Sequence, residues 1–127
     1  MINLIITHES GIFRGKMNSV DTQAIKLMQQ TRQMLYKAPV KPENVVVPPF
    51  LPDTSEVRKD IARAYNNIYI LDIEVKEIMD QLKKDNILDD TIIIFTSDHG
   101  DGLPRYKREL FDTGINVPFI ILSLIHI

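Results

Sequence analysis

Apolar residues at Val57, Ile61, Tyr65, Ile68, Leu71, Val75, Ile78, Met79 and Leu82 recur mostly at steps of three and four. They form one stripe down a long amphipathic helix, and its place in the chain leaves few folds open. Asp53 or Thr54 can cap its start, Glu56 suits the positive end of the dipole, and Lys83 and Lys84 suit the other end. On one side of the stripe lies residues 2–7, a continuous apolar run with β-branched members; on the other lies 91–96, TIIIFT. Both fit strands buried on two faces. Strand, long helix, strand is a β-α-β crossover, which predicts a parallel pair within an α/β sheet.

The remaining segments are weaker. Residues 21–36 carry a faint helical pattern through Ile25, Met28 and Leu35. Residues 37–52 hold Pro39, Pro42, Pro48, Pro49 and Pro52, so they read as an extended connector, with 45–47 at most a short edge strand. A third apolar run, 117–121, follows a charged stretch. The 127 residues suffice for one modest domain with a core. A net charge of -2, with no basic run, gives nucleic acid no footing. No apolar stretch approaches the roughly 20 residues that span a bilayer. The absence of cysteine excludes disulfides, zinc-thiolate sites and a cysteine nucleophile. The N-terminal stretch lacks the basic leader and cleavage site of a signal peptide and reads as a strand starting at residue 1. The last six residues, LSLIHI, look like the translation of a common sequencing adapter, so 122–127 is expected to be a non-native tail.

In open α/β sheets ligands bind beyond the carboxyl ends of parallel strands. Two strands here end in candidate chemistry: 2–7 leads to His8 and Glu9, and 91–96 leads to Asp98 and His99. Asp98-His99-Gly100-Asp101-Gly102 offers carboxylate oxygens, an imidazole nitrogen and two flexible glycines, a set suited to a divalent cation. The same string also reads as a polar turn. His8 by position alone is more often a hydrogen-bonded structural residue than a catalytic one. Arg105, Lys107 and Arg108 could hold the oxygens of a sulfate or phosphate, or could be a solvated turn balanced by Glu109 and Asp112.

The order of these features resembles a family. A strand ending in His, then PPFLPDT, a helix running from Tyr65 through Leu71-Asp72 to Ile78 and Leu82, then DDTIIIFTSDHGDGLPRYK and INVPFII, is similar to the sulfatases of the alkaline-phosphatase-like superfamily. VPPFLPDTSEVRKDIARAY resembles the heparan N-sulfatase (sulfamidase) branch and its bacterial relatives. The resemblance implies a partial alkaline-phosphatase-like α/β sandwich, its mainly parallel sheet flanked by helices, with 1–121 an internal part of the catalytic domain. It implies that Asp98 and His99 bind a divalent cation, calcium in most members, with magnesium or manganese as alternatives. It implies that Lys107 and His8 contact the sulfate group, His8 also serving the leaving-group side. The substrate implied is a sulfated carbohydrate, cleaved as a sulfate ester or sulfamate. A periplasmic or extracellular place suits the complete protein.

Some parts of the family pattern are missing. The nucleophile is a formylglycine made within C/S-x-P-x-R, and this chain has no cysteine and no Ser-x-Pro-x-Arg. The paired aspartates that complete the metal site, upstream of His8 in the family order, are also missing. Asn116 stands before Val117-Pro118 where many sulfatases have Arg. The expectation is a fragment that is inactive alone. Two other readings compete: a phosphodiesterase or phosphonate hydrolase of the same superfamily, and a non-catalytic α/β module.

Overall fold

The computed structural model describes Leu27 and residues 31–123. The long helix, α1, spans Ser55–Lys84. Thr54, in extended conformation, caps it, its Oγ1 accepting the Val57 N–H at 3.3 Å. The helix stops at a left-handed residue, Asn86 (φ 57°). There the Ile87 N–H reaches back to the Leu82 carbonyl and the Asn86 N–H to the Lys83 carbonyl. This is the Schellman arrangement, with asparagine in the place glycine usually takes.

The buried face of α1 differs from the apolar stripe. Ile61, Ala62, Ala64, Asn66, Asn67 and Ile70 are buried, whereas Tyr65 and Ile68 are about half exposed. A pattern read from large apolar side chains passes over asparagine, yet two asparagines go inside because earlier segments of the chain offer them partners. Asn66 accepts the Val40 N–H and donates to the Val40 carbonyl, both at 2.9 Å, as a neighbouring strand would. Gln33, in a helical segment over 31–35, donates to Asn67 Oδ1 at 2.6 Å. Of residues 21–36, those before 31 other than Leu27 lie outside the described set.

The connector packs along the first half of α1. Val45, Ile61 and Ala62 form the core, joined by Val40, Val47, Leu51, Val57 and Leu103. Residues 45–47 form no strand. A single 3-10 turn at Pro42–Asn44 delivers Val45 into the core, and Arg58 holds the Val45 carbonyl at 3.2 Å. Arg58 also forms a two-pronged pair with Asp53, with N–O distances of 2.5 and 2.7 Å.

Strand β1, Ile92–Thr96, pairs antiparallel with β2, Phe119–Ser123. Ile94 faces Ile121 and Phe95 faces Ile120. The strand starts after Pro118, which has no amide to give a ladder, and runs into Leu122 and Ser123, the first two residues of the adapter-like stretch. The parallel partner expected from 2–7 lies outside the described residues, so the described sheet is this antiparallel pair alone. Ile92, Ile94, Phe119 and Ile121 leave one face of it open. A short helix, α2 (Asp112–Ile115), precedes β2. Among the described residues no helix is long and apolar enough to cross a membrane.

Candidate functional site

β1 ends at Thr96 and hands the chain to Ser97, Asp98 and His99. The Ser97 hydroxyl donates to the His99 carbonyl at 2.7 Å, which tightens the turn. His99 is partly buried and its Nδ1 lies 2.6 Å from the Gly100 carbonyl. A carbonyl only accepts, so Nδ1 carries the hydrogen and, in the neutral ring, Nε2 keeps its lone pair. That Nε2 sits 3.4 Å from Oδ2 of Asp98, whose carboxylate is exposed. A neutral ring thus turns its lone pair toward the carboxylate, a geometry that a cation between the two would satisfy. Carboxylate plus imidazole, with the far ring nitrogen tied to a carbonyl, fits a divalent cation. Among the described residues no cluster of three or more His, Asp or Glu side chains could hold a metal, so this pair could offer two ligands at most and not a shell.

Asp101, already among the carboxylates of the 98–102 string, belongs to the same turn. Its Oδ1 accepts the Gly102 N–H at 2.6 Å. Burial pushes its carboxyl above the ordinary range, opposed by that N–H and by the nearby His99 ring. Its signal was the second carboxylate of DHGD, three residues after the first. Tyr106 is pushed up as well, by burial and by the neighbouring Tyr65 and Asp101.

Residues 100–114 fold back on themselves. The Gly100 N–H donates to the Gly114 carbonyl at 3.0 Å. A Cβ on Gly100 would lie 1.9 Å from the Thr113 carbonyl oxygen; one on Gly114 would lie 2.2 and 2.3 Å from the Tyr106 and Glu109 oxygens. Among the described residues no glycine has positive φ, so these two serve close approach rather than a sharp turn. What approaches Gly100 is the chain's own backbone.

Lys107 lies within this loop, half buried, with its N–H donating to the Asp101 carbonyl at 2.9 Å. The backbone therefore links the Lys107 position to the segment following Asp98 and His99. His8 lies outside the described residues. Arg105 is exposed, as a solvated turn requires, and it also meets two rings. Its guanidinium carbon lies 5.1 Å from the centre of the Phe50 ring and 5.5 Å from that of Phe111. Phe50 also meets Tyr106, with ring centres 6.4 Å apart. Arg105 and Arg108 have φ of 68° and 70°, a left-handed backbone costing roughly 1–2 kcal/mol for a residue with a Cβ.

Comparison with known proteins adds a family. The model of the family described as Sulfatase matches residues 15–126. The chain is 33% identical over 138 aligned positions to an ulvan-active sulfatase of Formosa agariphila, covering 95% of this chain and 23% of that protein. It is 34% identical over 85 positions to human N-sulphoglucosamine sulphohydrolase, covering 67% of this chain and 17% of that protein. A choline-sulfatase of Rhizobium meliloti is 39% identical over 69 positions, 51% of this chain and 14% of that protein. The chain thus spans less than a quarter of the length of these relatives. No solved structure matches it significantly.

Proposed function

The chain belongs to the sulfatase family, and from that premise we propose that the complete protein hydrolyses a sulfate ester or sulfamate on a sulfated carbohydrate. Relatives whose names specify ulvan and N-sulphoglucosamine support a sugar substrate. The observation that carries the site assignment is the approach of His99 Nε2 and Asp98 Oδ2 to 3.4 Å, with Nδ1 already committed to a carbonyl. Asp98 and His99 would hold the divalent cation, calcium first among candidates, and a bound cation would neutralise charge on the sulfate oxygens. Lys107 binds and orients those oxygens, its position fixed by the backbone bond to Asp101. His8 delivers a proton to the departing oxygen or nitrogen. The chain holds no Cys and no Ser-x-Pro-x-Arg from which formylglycine could form. This 127-residue chain is therefore expected to lack turnover, and robust sulfate-ester hydrolysis by it would overturn that assignment.

The metal role is tested by calorimetry with calcium chloride. Two ligands predict weak binding, in the millimolar range, falling about tenfold or more in Asp98→Ala, since each 1.4 kcal/mol of lost contact is a factor of ten. Equal affinity in the two proteins would remove Asp98 from the metal site.

A further inference from the structure

We propose that Arg105 is a positioning residue: its guanidinium, set against the rings of Phe50 and Phe111, fixes the loop segment that presents Lys107. The inference rests on the assignment of Lys107 as the sulfate-binding cation, and it gives the neighbouring cation a different task.

Three observations converge on Arg105. First, its guanidinium carbon, on an exposed residue, lies over two aromatic rings, with ring centres at 5.1 and 5.5 Å. The two rings come from separate segments. Phe50 belongs to the proline-rich connector, closed beside it by a bond from the Leu51 N–H to the Pro48 carbonyl at 3.0 Å. Phe111 immediately precedes α2. Second, the Arg105 carbonyl accepts the Thr113 hydroxyl, so its backbone is tied to α2 as well. Third, its φ of 68° is one that glycine or asparagine would adopt more cheaply. A residue with a long side chain stands at a backbone position that disfavours it, and that side chain is the one engaged by the two rings.

The consequence falls on Lys107, two residues along. Its N–H is bonded to Asp101 on one side of the loop, while Arg105 joins the loop to the connector and to α2. Tyr106, between them, packs against the same Phe50. Loss of the clamp leaves the Lys107 charge in the loop but loosens its placement. Attraction to the substrate anion then survives, while the aligned geometry needed in the transition state does not.

The test uses the complete enzyme with 4-nitrophenyl sulfate as probe. Arg105→Gly removes the side chain and relieves the backbone, so a loss of activity is not a strain artefact. Its kcat is expected to fall about tenfold or more with KM within about threefold of wild type, the signature of lost alignment. Phe50→Leu should fall in the same way, and Arg105→Lys, which retains a cation for the rings, should recover part of the loss. The double variant Arg105→Gly/Lys107→Ala should be no slower than Lys107→Ala alone, because Arg105 acts through Lys107. A slower double variant would show Arg105 acting independently and overturn the proposal. Wild-type kcat in Arg105→Gly, beside an impaired Lys107→Ala, would overturn the clamp and leave the sulfatase site standing. Full activity in Lys107→Ala would instead remove the site assignment, and the clamp with it. Should Arg105→Gly fail to fold, Phe50→Leu carries the same comparison. A readout free of activity is the Arg105 Hε resonance of the 127-residue chain. The two rings should shift it upfield, and Phe50→Leu should reverse the shift; a resonance at its ordinary position in the wild type would refute the clamp.

Discussion

Gly114→Ala adds one methyl group where two backbone oxygens already sit. The new Cβ would lie 2.2 Å from the Tyr106 oxygen and 2.3 Å from the Glu109 oxygen. Both fall about 1 Å short of ordinary contact. Neither oxygen can swing aside as a side chain would, so the loop has to open. Forced overpacking costs about 1–3 kcal/mol. The Gly100 N–H to Gly114 carbonyl bond lost with it adds about 1 kcal/mol. Opening of residues 100–114 should therefore become easier by about 2–4 kcal/mol, or about 30- to 1000-fold in the opening equilibrium. Native-state hydrogen exchange on the 127-residue chain measures this at two amides: Gly100, bonded to Gly114, and Lys107, bonded to Asp101. Both should exchange faster by that factor, while the Ile87 amide, bonded to the Leu82 carbonyl at the C-terminal end of α1, keeps its rate. Unchanged exchange at Gly100 and Lys107 would refute the close approach as the reason for glycine at 114.

Two further predictions concern the connector and the buried carboxyl. Asn66→Ala strips partners from both the N–H and the carbonyl of Val40. It should lower unfolding stability by about 2–4 kcal/mol at unchanged m-value, read by urea titration with helical circular dichroism. For Asp101, burial raises the carboxyl in the folded chain above its ordinary 3.8. The folded state therefore holds its proton more tightly than the unfolded state does. That contribution is fully present below the unfolded value and is lost as pH rises through the folded one. Asp101→Asn, which keeps an oxygen for the Gly102 N–H, should raise Tm at neutral pH in the presence of chelator. The gain should vanish toward pH about 3; a gain that is constant across that range would exclude burial of the charge as its cause.

The long helix was legible because its signals are local. Thr54 caps it, the lysines close it, and Asp85-Asn86 ends it where a left-handed turn was wanted. β1 was legible as TIIIFT for the same reason. Which face of the helix goes inside was less so: Asn66 is buried only because Val40, far away in the chain, supplies the complementary pair of groups. Val45 likewise reads as a strand residue by composition but is a core residue by contact. At the site, Asp98 and His99 could be picked out by their place after a buried strand. The ring contacts of Arg105 could not, since a cation in a charged turn looks the same in sequence until Phe50 and Phe111 are brought to it.

The meeting of Gly100 with Thr113 and Gly114 also bears on how this stretch can be exchanged between relatives. The two ends are distant in sequence but share one contact, so a change at one is tolerated only in the background of the other. Epistasis between them should be strong: a larger residue at 100 has no remedy among its sequence neighbours and needs a rearranged backbone at 113–114. A graft of the DHG motif alone would carry half of a fitted joint. Residues 98–114 are the smallest cassette that takes both halves, and with them the ring of Phe111 that Arg105 meets. Phe50 must already be present in the recipient.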